Sequence, residues 1–256
     1  GLIPDVDVPM TKYYPQWAGT AREGTTLRDV LTMTSGLRWQ ESYSVDDAAT
    51  SDIIQMVATQ RDQLAYAASR PQEVPAGTRF SYSSGDTMLL SGVLEQATGV
   101  PVREYAQEKL FGPMGMDQAE MWTDAEGNTL TYCCVDTTSR GFARFGQVYL
   151  QGGEWGGQQV VPEGGVEESL APSPAYDGYG YQWWLTPASG DRPARFSARG
   201  HDGQYIYVIP SLDLVVVRNG TYVKDPGPPV ADPNLFVRYP SDGLIPGKGT
   251  IGPQGW

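Results

Sequence analysis

Two runs of β-branched and aromatic residues lie almost back to back late in this chain, and they constrain its fold more than any other feature. The runs span 204–209 and 212–218, and only a Pro-Ser step separates them. Such residues favour strands, and so short a connection joins neighbouring strands into an antiparallel hairpin. A third run at 180–185 predicts a further strand. The region of about 179–222 is therefore predicted to form an antiparallel sheet.

The preceding region, about 20–175, has helical periodicity, with apolar residues recurring every three to four positions in segments that end at Gly or Pro. The predicted helices are 27–34, 51–69, 87–97, 101–110 and 138–151. Thr26 and Asp29 have the spacing of a capping box at the first of them. Helices followed by a sheet indicate an α+β fold in one domain over 1–222. Residues 223–256 are rich in Pro and Gly and are predicted to form an irregular surface arm.

Composition excludes several classes of partner. The 256 residues carry a formal net charge of -12, which repels phosphate backbones and anionic lipid, so nucleic acid and membrane surfaces are not expected partners. No run approaches the roughly 20 apolar residues of a membrane span. One histidine and the adjacent Cys133 and Cys134 supply no zinc set, so no metal or other cofactor is expected. The two cysteines are expected to be small buried hydrophobic residues, because neighbours cannot easily bridge each other.

Two short motifs carry side chains suited to acyl transfer. Tyr-Ser-Ser at 82–84 follows a Pro/Gly turn that delivers an aromatic hydroxyl to the start of an apolar helix. Gly-His-Asp-Gly at 200–203 opens a predicted strand and holds the single histidine. Taken alone, the tyrosine is more simply a core aromatic residue. The histidine is open to three interpretations: a member of a substrate site, the base of a Ser-His-Asp triad, or a structural residue. The chain has no Gly-x-Ser-x-Gly elbow for such a triad.

Four segments, at 26–37, 75–86, 140–146 and 200–203, occur in an order and at a spacing that together resemble the β-lactamase-related serine hydrolases. This superfamily comprises class C β-lactamases, penicillin-binding proteins, family VIII esterases and 6-aminohexanoate-dimer hydrolases. The resemblance covers about residues 1–222 and implies a β-lactamase-like fold, an antiparallel sheet with a helical region. It also implies an acyl-enzyme mechanism, in which the serine of a Ser-x-x-Lys motif is acylated with help from its lysine.

The resemblance implies roles for individual residues. Tyr82 takes the tyrosine position of the proton relay, and Ser84 the hydrogen-bonding third position of that motif. His201 stands where the related lactamases carry the lysine of Lys-Thr-Gly. The N–H of Gln204 is expected to donate to the oxyanion, and Gly203 to leave room for substrate at the strand edge.

An aromatic cluster is the second expected substrate contact. Tyr179, Tyr181, Trp183 and Trp184 fall within six positions and either line an acyl pocket or form the sheet core. Tyr181 and Trp183 are the two that we predict to contact substrate.

One family feature is absent from this sequence. The residues three places before the four lysines are Pro9, Ala106, Thr221 and Ile245, so no Ser-x-x-Lys occurs. The nearest imitation, at 221–224, follows the last predicted strand, whereas the relatives carry the nucleophile on an earlier helix. The expectation is that both ends of the chain are cut, that the N-terminal strands and the nucleophile helix lie upstream, and that the chain alone is inactive.

The function predicted for the complete protein is hydrolysis of a small ester or amide through an acyl-enzyme. Esters, β-lactams, D-amino-acid peptides and linear aminohexanoate amides all stay open as substrates, because loops and pocket shape decide between them. The alternative is a degenerate relative that binds a peptide or cell-wall fragment without cleaving it. The resemblance alone favours a periplasmic or secreted location.

Overall fold

The computed structural model describes residues 2–220, and within them it confirms the α+β fold. The α-helices are α1 (Leu27–Leu31), α2 (Asp52–Thr59), α3 (Gln63–Ala68), α4 (Ser84–Thr98), α5 (Val102–Ala106), α6 (Ser139–Leu150) and α7 (Glu163–Ser169). A π-helical turn, Gln107–Phe111, continues α5. None of the helices in this range is long and apolar enough to cross a membrane. The arm predicted at 223–256 lies outside the described residues.

The strands form two short hairpins and one larger antiparallel sheet. The hairpins pair β1 (Glu120–Met121) with β2 (Val135–Asp136), and β3 (Glu154–Trp155) with β4 (Gln158–Gln159). The sheet contains β5 (Trp184–Thr186), β6 (Arg195–Gly200), β7 (Gln204–Ile209) and β8 (Leu214–Arg218), in that order.

Local capping explains the helix ends that the sequence predicted well. Thr26 accepts from the N–H of Asp29, and the Asp29 side chain accepts from the N–H of Thr26, so the capping box of α1 is confirmed. Gly99 ends α4 in the left-handed conformation, with a φ of 75° that glycine adopts without strain. Thr138 caps α6 by accepting from the N–H of Gly141.

The single helix predicted over 51–69 is wrong, because the structure divides it into α2 and α3. Gln60 is extended, and Asp62 starts a new helix by accepting from the N–H of Ala65. The N–H of Gln63 donates over 2.9 Å to a carboxylate oxygen of Asp124, a distant residue. This non-local bond fixes the start of α3, and Val57 in α2 is 55% exposed.

Strand β6 is absent from the predicted sheet, yet it lies between β5 and β7. Its sequence, Arg-Phe-Ser-Ala-Arg-Gly, has few of the β-branched residues that mark strands. The register places Phe196 beside Leu185 and Val208, on the face that packs against α6. Ser197, beside Trp184, lies on the opposite face.

The α6 helix packs closely on this sheet at Gly146, where a Cβ atom would lie 2.7 Å from Val215 and 3.0 Å from Ile206. We therefore expect Gly146→Ala to lower the free energy of unfolding by about 1–3 kcal/mol, because the sheet must shift to admit the methyl group. Urea unfolding measures the change. The control is Gly164→Ala in α7, where no atom lies within 4 Å of the added carbon. Equal effects of the two substitutions would contradict the close packing.

The two cysteines differ from the sequence expectation. Cys133 and Cys134 are half-buried and are joined by a disulfide, so the prediction of two unbridged hydrophobic residues is wrong. Cys134 has a φ of 68°, an uncommon conformation for a residue other than glycine, and the bridge spans adjacent residues in that conformation.

Candidate active site

Tyr82 lies immediately before α4, at the start of which Ser83 caps the helix by accepting from the N–H of Asp86. The Tyr82 ring stacks on Trp184 at 5.7 Å and 19°, and meets Tyr179 edge-on at 6.3 Å. The turn before α4 thus places the phenol against an aromatic wall formed by Trp184 and Tyr179. The sequence predicted that this turn would bring the phenol to the start of a helix.

Burial dominates the acidity of this phenol. It raises the pKa of Tyr82 to about 12, and the negative charge of Glu41 adds to the rise. The phenol is therefore protonated at neutral pH. A nearby cation would favour the phenolate and lower this pKa.

Glu41 joins the start of α4 to a loop that the sequence analysis did not single out. Its two carboxylate oxygens accept from the hydroxyl and the N–H of Ser84, at 2.7 and 3.0 Å. Ser84 is only 4% exposed, and its hydroxyl donates to Glu41. Ser84 is thus the first residue of α4, and its hydroxyl hydrogen is directed at a protein carboxylate.

Tyr43 connects this loop to the second motif. Its hydroxyl donates to Glu41 over 2.6 Å, and its ring lies 4.4 Å from the imidazole of His201. Burial, together with the bond to Glu41, raises the pKa of Tyr43. The chain of contacts from Ser84 through Glu41 and Tyr43 therefore brings the two sequence motifs to one site.

His201 pairs through Nδ1 with Asp202 at 2.9 Å, and its side chain is about half exposed. Within residues 2–220 no serine hydroxyl is hydrogen-bonded to it, so the described chain does not assemble a Ser-His-Asp triad. The contact with Tyr43 favours the interpretation of His201 as a member of the site.

The backbone N–H of Gln204, predicted to donate to the oxyanion, already has a partner in the structure. Its N–H donates to the carbonyl of His201 within a 3-10 turn, and its side chain pairs with the backbone of Gly220. This amide is therefore occupied. The N–H of His201 directly follows β6, which ends at Gly200.

Gly203 is also explained differently. It has a φ of 80°, and a Cβ atom there would lie 1.7 Å from Nη1 of Arg218, which donates to the Gly203 carbonyl over 2.7 Å. The guanidinium of Arg218 therefore requires glycine at this position, and the room for substrate beside Gly203 stays a prediction.

The neighbouring residues Trp183 and Trp184 point to opposite sides of the sheet. Trp183 is 4% exposed and packs on Phe145 and Phe196 in the core between α6 and the sheet, a position that favours a core role over the predicted substrate contact. Trp184 points the other way and stacks on Tyr82.

Tyr181 also lies away from Tyr82. Its hydroxyl accepts from the guanidinium of Arg28, which also pairs with both carboxylate oxygens of Asp7. The aromatic residues that do meet Tyr82 are Tyr179 and Trp184.

Arg28 borders a cavity of about 660 Å³ between the first residues, α1 and α4. Its lining residues are Ile3, Pro4, Asp5, Val6, Asp7, Leu27, Arg28, Leu31, Leu90, Val93, Leu94 and Glu168. None of the predicted site residues lines it.

Comparison with known proteins identifies the family of this chain. A model of the β-lactamase family matches residues 4–235. The chain belongs to the β-lactamase family. Among curated β-lactamase relatives, the 6-aminohexanoate-dimer hydrolase of Paenarthrobacter ureafaciens is 30% identical over 231 residues, which cover 82% of this chain and 58% of that protein. A D-aminopeptidase of Cereibacter sphaeroides is 30% identical over 118 residues, 46% of this chain and 22% of that one.

Solved structures agree with this family fold. A Bacillus anthracis protein, provisionally named a 6-aminohexanoate-dimer hydrolase, superposes with a TM-score of 0.75 at 23% identity, over 93% of this chain and 65% of its own. A family VIII carboxylesterase superposes with a TM-score of 0.64 at 15% identity, over 85% and 70%. The resemblance seen in the sequence is thus confirmed. The chain spans less than two thirds of the length of the first curated relative.

Proposed function

We propose that the complete protein is a serine hydrolase of small esters or amides that works through an acyl-enzyme, with Tyr82 in its proton relay. The observation that carries this proposal is the placement of the Tyr82 phenol. It lies at the start of α4, against Trp184, in the site that also includes Ser84, Tyr43 and His201.

The nucleophile and its lysine must come from sequence outside these 256 residues, which contain no Ser-x-x-Lys. Family membership supports this arrangement. A lysine ammonium near Tyr82 would lower the phenol pKa from about 12, so that the phenolate accepts the serine proton and then returns it to the leaving group. The serine oxygen meanwhile bonds to the substrate carbonyl carbon and displaces the amine or alcohol.

For the oxyanion we assign the N–H of His201 in place of that of Gln204. The Gln204 amide already donates to the His201 carbonyl, whereas the His201 amide directly follows the end of β6. A backbone N–H at a strand end is the kind of donor that stabilises a tetrahedral intermediate.

The aromatic wall supports a small, partly apolar acyl group as substrate. Phe80 and Tyr179 extend the wall beside Trp184, with ring centroids of Phe80 and Tyr179 5.3 Å apart. The two curated relatives are named for cleaving an aminohexanoate dimer and D-amino-acid substrates, which favours amides alongside esters.

The test is hydrolysis of p-nitrophenyl butyrate by two proteins, the 256-residue chain and the chain expressed with the flanking sequence of its gene. We expect turnover in the longer protein only, and its loss when the Ser-x-x-Lys serine is replaced by Ala. Flanking sequence with a substituted serine and no turnover would contradict the hydrolase and support the alternative, a relative that binds a peptide or cell-wall fragment.

A further inference from the structure

We propose that Glu41 is a positioning residue of this site, which fixes the start of α4 and the Tyr43 loop in a single arrangement around Tyr82. The inference deepens the proposed function and rests on it for the role of Tyr82. The structural part of the inference is that Glu41 forms a joint between the Tyr43 loop and the start of α4. This part does not depend on whether the protein turns over a substrate.

Hydrogen bonding defines what Glu41 can do. Oε1 accepts from Tyr43 and from the Ser84 hydroxyl, while Oε2 accepts from the Ser84 N–H and the indole of Trp39. All of these partners donate, and a carboxylate offers about four acceptor positions. Glu41 is therefore fully used as an ionised acceptor. A proton on it would break one of these bonds, which suits a positioning residue and not a proton carrier.

The helix start gives a physical reason for an anion at this position. The N–H of Ser84 is one of the first in α4 and has no partner inside the helix, since the first turn of any helix leaves its N–H groups unpaired. A carboxylate there satisfies the N–H and interacts favourably with the helix dipole. Glu41 thus caps α4 from a loop 43 residues away in sequence.

Packing supports the same joint independently of charge. A Cβ atom on Gly85 would lie 2.6 Å from the Trp39 ring, so Trp39 lies directly on the first turn of α4 because residue 85 is glycine. Trp39, Glu41 and Tyr43 therefore dock the loop onto the helix at successive points, and the last of them contacts His201.

The charge of Glu41 also acts on the phenol that it helps to position. Together with burial, it raises the pKa of Tyr82 and so favours the protonated phenol. The site is consequently at rest with Tyr82 protonated until a cation approaches.

The first test measures the Tyr82 phenol directly in the 256-residue chain. A fluorinated tyrosine is placed at position 82, because its phenol ionises at a lower pH than that of tyrosine. Fluorine NMR then follows the titration of this phenol. We expect Glu41→Gln to lower the pKa of this phenol by about one pH unit, since a negative charge nearby is removed. Glu154→Gln, which removes an exposed acid on β3, is the matched control and should leave the pKa unchanged.

The second test measures the position of the loop. His201 is the only histidine, so its imidazole proton resonances need no assignment, and the Tyr43 ring contacts it. We expect these resonances to shift in Glu41→Gln, and also in Gly85→Ala, which displaces Trp39 without changing charge. Glu154→Gln should leave them in place.

Unchanged His201 resonances or an unchanged phenol pKa in Glu41→Gln would overturn the proposal. If that variant does not fold by circular dichroism, Tyr43→Phe replaces it, because it removes one bond and leaves the Glu41 charge paired. A His201 shift in Tyr43→Phe then supports the joint, and no shift overturns it. Failure of the hydrolase proposal would appear as absent turnover, which none of these measurements uses.

Discussion

Tyr82→Phe is expected to lower kcat/KM by about 100- to 10,000-fold in the protein that contains the nucleophile, the usual contribution of a positioned acid–base group. The substitution removes the proton carrier but keeps the ring that stacks on Trp184. The Tyr82 hydroxyl has no hydrogen-bond partner among residues 2–220, so its loss should leave the melting temperature unchanged. The decrease should fall on kcat, because the hydroxyl acts in proton transfer more than in substrate binding.

The matched control is Tyr176→Phe, since Tyr176 is an exposed aromatic residue that contacts Phe80 in the same wall. We expect its kcat/KM to stay close to that of the parent. A Tyr82→Phe variant that retains kcat within about threefold of the parent would exclude a relay through this phenol.

Asp86→Asn is expected to remove a large pH dependence of stability. Asp86 is 1% exposed; burial raises its pKa from 3.8 to about 7, although hydrogen bonds from Ser35 and Ser83 oppose the rise. Its second oxygen has no hydrogen-bond partner in the described chain. Between pH 4 and 7 the folded state therefore binds more protons at this group than the unfolded state, and stability falls as the pH rises.

At about 1.4 kcal/mol for each unit of pKa, the loss attributable to Asp86 is on the order of 4 kcal/mol and is complete above pH 7. Urea unfolding of the parent and of Asp86→Asn at pH 4.5 and pH 8 measures it as the difference between the two proteins. The variant should gain stability relative to the parent at the higher pH. The surface substitution Asp177→Asn is the control and should show no such trend. A constant difference between parent and Asp86→Asn would contradict the buried, raised acid.

Local signals predicted the parts of the fold that depend on neighbouring residues. The capping box of Thr26 and Asp29 and the stop at Gly99 each involve residues within four positions of one another. The break between α2 and α3 depends instead on the bond from Gln63 to Asp124, 61 residues apart. Periodicity alone does not carry that information.

The candidate site also contains residues that short sequence motifs predicted and residues that only the structure revealed. Tyr82 and His201 stand in recognisable motifs, and the structure connects them through Tyr43. Glu41 and Tyr43 lie in a short polar and aromatic stretch without periodicity, so only the tertiary contacts reveal their part. We predicted that Trp183 contacts substrate, whereas Trp184 is the tryptophan that stacks on Tyr82. Periodicity alone does not choose between them, because neighbouring residues of an extended segment point to opposite faces.

The most direct test of the central claim is to label the protein that contains the flanking sequence with a fluorophosphonate and to locate the adduct by mass spectrometry. The account predicts one adduct, on the serine of a Ser-x-x-Lys motif outside these 256 residues, and none on the 256-residue chain alone. An adduct on Ser83, Ser84 or any other serine within the 256 residues would contradict the account, because the nucleophile would then lie where no lysine stands three positions after a serine.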